Sequence, residues 1–307
     1  MSSQTNKQPT LKKISKGLTV GSVMTGSTFF HGPPVLALGL TKLFKKSKKV
    51  DETNIKITNS WLTVNNWLID HVLPNTKWDI TIDEGLDLNL HGRYLMTCNH
   101  QSWVDTTVNQ YFGLTRMPLT RFFTKWELIF IPFVGQAFKI LGFPMMKRHS
   151  KEQIAKNPEL KYRDMEEARK SCEQLLSQPF TLLNYLEGTR FTPEKHAQQQ
   201  SPYQNLLKPK AGGLALALNI LGDQVDALVD MTIVYPNGAP GYGEFWLGEV
   251  PRIAVDLRKI EIPTWVHGGN YEDDAEFREK FQHWVDERWT EKDQLITRMK
   301  AKYSVTE

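Results

Sequence analysis

A histidine and an aspartate five positions apart are the first residues whose spacing could do chemistry. His100 and Asp105 lie in the stretch NHQSWVD, residues 99–105. If Ser102 begins a helix as its N-cap, Asp105 falls in the first turn and its carboxylate can reach back to the imidazole. The carboxylate would fix the ring tautomer and leave the other nitrogen free to take a proton. The spacing predicts the base-and-orienter half of a triad, and a structural or exposed histidine is the alternative.

A second group directly follows the apolar run at 180–186 and consists of Glu187, Gly188, Thr189 and Arg190. Glycine lets the backbone approach a ligand closely. The planar fork of an arginine suits phosphate, and the glutamate could hold a hydroxyl group or orient the arginine. The alternative is a strand-to-loop turn with a surface ion pair.

Two further motifs are weaker when taken alone. The run from Gly142 to Arg148 ends in Lys147-Arg148, which would form an anion site at a strand end or a solvated pair. The triplet Val234-Tyr235-Pro236 is a strand ending at a proline and predicts no chemistry by itself.

In this order the four motifs resemble the glycerophospholipid acyltransferase family, over roughly residues 85–240. The stretches Tyr185–His196 and Leu207–Gly213 are most similar to the branch that holds lysophosphatidic acid and lysocardiolipin acyltransferases and bacterial membrane-bound relatives. The ordered set is specific, whereas no single motif is. This chain departs from the pattern at Leu186, where many members have proline, and at Met145, where many have phenylalanine.

The resemblance implies a reaction and a role for each matched residue. A fatty acyl group would pass from an acyl thioester to the hydroxyl of a lysophospholipid, with 1-acylglycerol-3-phosphate as the expected acceptor and phosphatidic acid as the product. His100 would be the general base, Asp105 would orient it, and Tyr235 and Pro236 would lie near the acyl-donor side. The residues implied to bind the phosphate and glycerol are Arg148, Glu187, Gly188, Thr189 and Arg190.

A thioester is already activated, so the reaction needs positioning and proton transfer rather than a metal or another cofactor. The expected partners are the phospholipid bilayer, the lysophospholipid acceptor, and acyl-CoA or acyl carrier protein as co-substrate. A net charge of +4 and the lack of a recognition motif argue against nucleic-acid binding. The alternatives are a lysophosphatidylglycerol- or cardiolipin-type acceptor, or a non-catalytic membrane scaffold with this fold.

Strands that alternate with helices predict an α/β layer fold, and the resemblance implies a mixed central sheet flanked by helices. Because ligands gather at the carboxyl ends of strands, the segments after Thr97, Met146 and Leu186 are expected to converge on one cleft. The predicted strands are Trp78–Ile82, Tyr94–Thr97, Arg121–Lys125, Gly142–Met146, Phe180–Leu186, Leu228–Tyr235, Glu244–Val250 and Ile253–Leu257. The predicted helices are 54–73, Trp103–Phe112, Ile129–Leu141, Leu160–Leu176, Ala211–Leu221 and Tyr271–Lys302, with a polar loop at Phe191–Pro209.

The first 50 residues are predicted to anchor the protein in a membrane, and residues 51–307 to form the acyltransferase domain. No Asp, Glu, Lys or Arg occurs in 17–41, but His31-Gly32-Pro33-Pro34 interrupts the run. It would form a membrane-embedded hairpin of two short helices or one kinked spanning helix. A cleaved signal peptide fits less well. The flanking lysines that favour a lipid surface are Lys12, Lys13, Lys16, Lys42, Lys45, Lys46, Lys48 and Lys49.

Only two cysteines occur, Cys98 and Cys172, and neither has a metal-ligand or disulfide spacing. Both are predicted to be buried reduced thiols, which fits a cytosolic catalytic face. With the resemblance, this indicates the inner membrane of a bacterium as the location.

Overall fold

A computed structural model describes residues 11–42, 44, 47–146, 151–157 and 159–304 of the chain. The motif residues Lys147 and Arg148, and the flanking Lys45 and Lys46, lie outside the described residues.

A six-stranded mixed sheet forms the centre of the protein. The strands are β1 Lys77–Ile82, β2 Arg93–Cys98, β3 Thr120–Phe122, β4 Thr124–Lys125, β5 Met145–Met146, β6 Phe180–Tyr185, β7 Ala227–Val234 and β8 Arg252–Ile260. Their order in the sheet is β1-β8-β7-β2-β6-β3, and β4 and β5 form a separate parallel pair. Strands β7, β2, β6 and β3 run parallel to one another, whereas β8 is antiparallel to β7 and parallel to β1. The predicted α/β class with a mixed sheet is confirmed.

Helices cover both faces of this sheet. They are α1 Leu11–Thr41, α2 Lys48–Val72, α3 Val104–Gly113, α4 Val134–Ile140, α5 Lys151–Lys156, α6 Glu159–Leu175, α7 Pro193–Gln199, α8 Gly212–Leu221, α9 Tyr242–Trp246 and α10 Ala275–Ser304. Alternate residues of a strand face opposite sides. In β2, Tyr94 and Met96 accordingly pack with α2 and α3, while Leu95 packs with α6, α8 and α10.

The carboxyl ends of three neighbouring parallel strands lie side by side. Strand β2 ends at Cys98, flanked by β6 ending at Tyr185 and β7 ending at Val234. The segments after Thr97 and Leu186 therefore start from adjacent strands, as expected. The third expected segment, after Met146, follows the separate pair β4–β5 and enters the residues outside the description.

A buried lysine joins α10 to the central strands. The ammonium of Lys292 lies 3.0 Å from the Asp230 carboxylate and donates to the Met231 carbonyl at 2.7 Å. Asp230 also accepts a hydrogen bond from Thr97 on β2. The C-terminal helix is thus tied to β7 directly beneath the strand ends.

The break expected at His31–Pro34 is not there, because α1 is one helix that contains Pro33 and Pro34. At this point the helix packs closely against the segment that contains α4, since a Cβ added at Gly32 would lie 2.9 Å from Phe133 Cβ. The predicted hairpin of two short helices within 17–41 was therefore wrong. In the part of the chain that the structure describes, no helix combines the length and the apolar character needed to cross a membrane.

Three other local predictions differ from the structure, and in two of them a side chain caps a short helix. Residues 244–250 were expected to form a strand, but Glu244 accepts a hydrogen bond from the Gly241 amide at 2.6 Å and helix α9 forms. The loop expected at 191–209 contains α7, whose N-cap Thr192 accepts from the Lys195 amide. The predicted helix at Ile129–Leu141 begins only at Val134, after a 3₁₀ turn at Trp126–Phe130. The two cysteines are buried and free, as predicted.

Candidate active site

His100 and Asp105 form the hydrogen-bonded pair that their spacing predicts. His100 lies in the loop after β2, and Asp105 lies in the first turn of α3. The imidazole Nδ1 is 2.8 Å from Asp105 Oδ2. The helix begins at Val104 rather than at Ser102, but the Ser102 hydroxyl still accepts a hydrogen bond from the Val104 amide at 3.0 Å.

Four hydrogen bonds converge on the Asp105 carboxylate, which is fully buried. Besides His100, Oδ2 accepts from the backbone amides of Gln101 at 2.7 Å and Ser102 at 2.9 Å. Oδ1 accepts from the hydroxyl of Tyr235 at 2.6 Å. Both oxygens of the Asp105 carboxylate therefore act as hydrogen-bond acceptors.

The arrangement determines which imidazole nitrogen is available for proton transfer. Because Asp105 Oδ2 is an acceptor, Nδ1 of His100 must carry the hydrogen. Nε2 of the neutral ring is then the unprotonated nitrogen, and no described residue hydrogen-bonds it. The His100 side chain is 15% exposed. The pair has the geometry expected of a general base with its orienting carboxylate.

Two tyrosines, the partly buried Tyr185 and the buried Tyr235, contact the pair. The ring of Tyr185 stacks on the His100 ring with 4.1 Å between centroids and an interplanar angle of 20°. Burial, and then the charge of Asp105, raise the pKa of Tyr235 well above its ordinary value. Burial likewise raises the pKa of Tyr185. Both phenols therefore stay neutral, and Tyr235 acts as a hydrogen-bond donor to Asp105.

Two buried asparagines connect the strand ends behind the pair. Asn99 makes two hydrogen bonds with the backbone of Ile233, donating to its carbonyl at 2.8 Å and accepting from its amide at 2.9 Å. Asn109 donates to the Asp105 carbonyl at 2.7 Å and to the Tyr185 hydroxyl at 3.1 Å. These contacts fix the end of β2 to β7 and the start of α3 to β6.

Glu187 is fully buried and does not face a ligand surface. Its oxygens accept from the backbone amides of His100 at 2.6 Å and Leu207 at 3.0 Å. Burial raises the pKa of Glu187 to about 8, while these two hydrogen bonds act in the opposite direction. The sequence-based expectation was a contact with the acceptor or with Arg190; in the structure Glu187 instead joins the His100 loop to the loop at 207.

The three residues after Glu187 form a tight loop beside the base. Gly188 has a φ of +64°, a conformation that glycine adopts without strain. The Lys195 ammonium donates to Thr189 Oγ1 at 2.8 Å and to the Arg190 carbonyl at 2.9 Å. The Arg190 guanidinium carbon lies 4.2 Å from the centroid of the Trp103 ring. The arginine expected to bind an anion thus lies over Trp103, which is between His100 and Asp105 in the sequence.

The structure brings His100, Asp105, Glu187, Gly188, Thr189 and Arg190 together, while Arg148 lies outside the described residues. The resemblance placed Tyr235 near an acyl donor, but Tyr235 is only 2% exposed and contacts Asp105. Sequence reasoning also missed Asn99, Asn109 and Tyr185. In the sequence, the only indication that these three residues belong to the site was their position within or beside the motifs.

Comparisons with known proteins agree with this geometry. A family model described as Acyltransferase matches residues 79–236, which hold the His100–Asp105 pair, Glu187–Arg190 and Tyr235. The match covers just over half of the chain.

Three named relatives are similar in sequence. Lysocardiolipin acyltransferase 1 of Gallus gallus is 23% identical, covering 79% of this chain and 62% of that protein. The Danio rerio protein of the same name is 26% identical, covering 92% and 69%. The 2-acyl-1-lysophosphatidylinositol acyltransferase of Saccharomyces cerevisiae is 25% identical, covering 68% and 62%. The chain thus spans less than two thirds of the Gallus gallus and Saccharomyces cerevisiae proteins.

A solved structure has the same fold. The crystal structure of the 1-acyl-sn-glycerophosphate (LPA) acyltransferase PlsC from Thermotoga maritima superposes with a TM-score of 0.51 at 16% identity. The superposition covers 92% of this chain and 97% of that one.

The buried carboxyl group of Glu187 predicts a pH-dependent stability. With a folded pKa of about 8 against an ordinary value of 4.5, the native state keeps a proton that the unfolded chain loses between these pH values. Titration of Glu187 should therefore lower the melting temperature of the wild type between pH 5 and pH 8. Glu187→Gln should not show this contribution.

Thermal unfolding followed by circular dichroism at four pH values measures this difference. The exposed Glu261→Gln is the matched control and should keep the wild-type pH dependence. Parallel melting curves for the wild type and Glu187→Gln would contradict the assignment.

Proposed function

Since this chain belongs to the glycerophospholipid acyltransferase family, we propose that it transfers a fatty acyl group from an acyl thioester to the hydroxyl of a lysophospholipid. One observation carries the proposal: Nδ1 of His100 is hydrogen-bonded to Asp105, which leaves Nε2 as the nitrogen that can accept a proton. The acyl group passes directly between the two substrates, with acyl-CoA or acyl carrier protein as the donor.

The proton follows one path through the reaction. Nε2 of His100 accepts the acceptor's hydroxyl proton as that oxygen forms a bond with the thioester carbonyl carbon. Asp105 stabilises the imidazolium that results. When the tetrahedral intermediate collapses, the carbon–sulfur bond breaks and the imidazolium returns the proton to the leaving thiolate. An ester and a free thiol are the products.

The acceptor that we propose first is 1-acylglycerol-3-phosphate, which would give phosphatidic acid. Arg190 supports a phosphate-bearing acceptor because its guanidinium lies over Trp103, in the same loop as His100, and can bind two phosphate oxygens at once. A lysophospholipid with a larger headgroup is the second candidate. The names of the three sequence relatives favour it, since these act on lysocardiolipin or lysophosphatidylinositol.

We also propose that α1 lies against a lipid bilayer, on the cytosolic side of a bacterial inner membrane. Leu11, Leu18, Phe29 and Leu40 are each more than half exposed. Their spacings of 7, 11 and 11 residues place them on one helix face, within an arc of roughly 40°. Phe29 also packs against Phe133, with ring centroids 5.4 Å apart, so the face continues into a second segment. An apolar stripe of this size supports contact with lipid.

The flanking lysines contribute less to this contact than their number suggests. Lys13 pairs with Glu249, and Lys42 pairs with Asp51. Each such ammonium is therefore partly neutralised within the protein, and the apolar face of α1 carries most of the proposed attachment.

Replacing the base tests the reaction. His100→Ala should lower acyl transfer at least about 100-fold, since general-base catalysis contributes that much, while folding is retained. The assay uses radiolabelled acyl-CoA with a panel of lysophospholipids, separated by thin-layer chromatography. The exposed His91→Ala is the matched control and should retain full activity. Undiminished transfer by His100→Ala would disprove the mechanism, and a wild type inactive on every acceptor with both acyl donors would disprove the function.

The hydroxyl of Tyr235 should matter for rate. Tyr235→Phe removes one hydrogen bond to the Asp105 carboxylate, a contact worth about 1.5–3 kcal/mol. We expect kcat to fall roughly 10- to 100-fold. Tyr111→Phe is the control, because Tyr111 makes a similar bond to Asp70 away from the site. Equal kcat values for both variants would show that Tyr235 has no role in catalysis.

The apolar stripe of α1 can be tested with vesicles. Leu18→Gln combined with Phe29→Gln should weaken co-sedimentation with phosphatidylglycerol–phosphatidylethanolamine vesicles by at least about tenfold, because each buried side chain contributes about 1.5–3 kcal/mol. Leu90→Gln removes an exposed apolar side chain elsewhere and should have no effect. Unchanged sedimentation of the double variant would rule out the stripe as the contact.

A further inference from the structure

We propose that Trp103 is the positioning residue that sets the preference for a phosphate-bearing acceptor, by holding the Arg190 guanidinium against its indole face. The proposal rests on the function proposed above and assigns a role to a residue between the base and its carboxylate.

The contact is a cation–π interaction. The guanidinium carbon of Arg190 lies 4.2 Å from the Trp103 ring centroid, well within the distance over which a cation is attracted to an indole. Trp103 itself is 57% exposed and belongs to none of the three buried hydrophobic clusters. Its ring therefore contributes little to core packing, and its described contact is with the arginine.

The cation–π contact leaves the arginine able to bind an anion. The guanidinium carries five N–H donors in its plane, and an indole ring has no lone-pair acceptor for them. Within the described part of the chain, no carboxylate forms an ion pair with Arg190. Its hydrogen-bonding edge is thus available for phosphate oxygens in a bidentate geometry.

Two further contacts fix the arginine relative to the base. The amide of Phe191 donates to the carbonyl of His100 at 2.7 Å, and Lys195 donates to the carbonyl of Arg190 at 2.9 Å. These bonds fix the backbone at Arg190 and Phe191. They do not fix the long side chain of Arg190, which needs a contact of its own. Trp103, three positions after His100, orients it from the same loop that carries the base. The distance between the phosphate and the reacting hydroxyl is thereby set.

Kinetics of three variants test the proposal. Trp103→Leu removes the π face, while Trp103→Tyr keeps an aromatic face. We expect Trp103→Leu to raise KM for 1-acylglycerol-3-phosphate roughly 3- to 30-fold, the range of a cation–π contact, with kcat and the donor KM nearly unchanged. Trp103→Tyr should retain most of the wild-type KM. In an Arg190→Ala background, Trp103→Leu should change KM less than twofold, because the partner is gone.

Three results would overturn the role of Trp103. They are equal KM values for the leucine and tyrosine variants, additive effects of Trp103→Leu and Arg190→Ala, and an equal rise in KM for a monoacylglycerol that lacks phosphate. Additive losses with weaker vesicle binding would identify Trp103 as a lipid contact instead.

A failure of the proposed function is distinguishable from a failure of this inference. A wild type that transfers no acyl group to any acceptor contradicts the function. The Trp103–Arg190 coupling can still be measured as the Kd of 1-acylglycerol-3-phosphate, by calorimetry below its critical micelle concentration. Tight binding that both single substitutions weaken non-additively would support the inference, and additive weakening would refute it.

Discussion

The buried carboxylate of Asp105 is the interaction on which the site depends. It accepts four hydrogen bonds, from the His100 ring, two backbone amides and the Tyr235 hydroxyl. A buried charge is tolerated only when such donors compensate for the lost water. The same four bonds that compensate for burial also bring together the loop after β2, the first turn of α3 and the end of β7. Stability and proton transfer therefore use one set of contacts.

The second buried carboxyl group, Glu187, lies on the other side of the base and has a different task. Both of its oxygens accept backbone amides, from His100 and Leu207, so it shapes the loops rather than the chemistry. Asp105 acts on the side chain of His100, and Glu187 acts on its backbone. With the Tyr185 ring stacked on the imidazole, the base is restrained from three directions. Such restraint fixes the orientation of the imidazole, as the proposed proton transfer requires.

Local features of the site followed from the sequence, and long-range ones did not. The His100–Asp105 contact needs only a strand end and one helical turn, which five residues can encode. The Tyr235 contact joins residues 130 positions apart and depends on β7 lying beside β2, which no local pattern reveals. The same limit applies to α1, where the prolines predicted a break but one helix forms and packs against a distant segment. Residues 244–250 were missed for a local reason instead, because a capping side chain three positions from Gly241 outweighed an apolar pattern typical of a strand.

The position of β8 has a consequence for how the chain folds during synthesis. β8 lies between β1 and β7, and Lys77 pairs with Arg252, which follows it by 175 positions. Strand β1 therefore leaves the ribosome long before its neighbour exists, and closing so long a loop is slow. Until then the nascent chain must keep the edge of β7 and the apolar side of β1 uncovered.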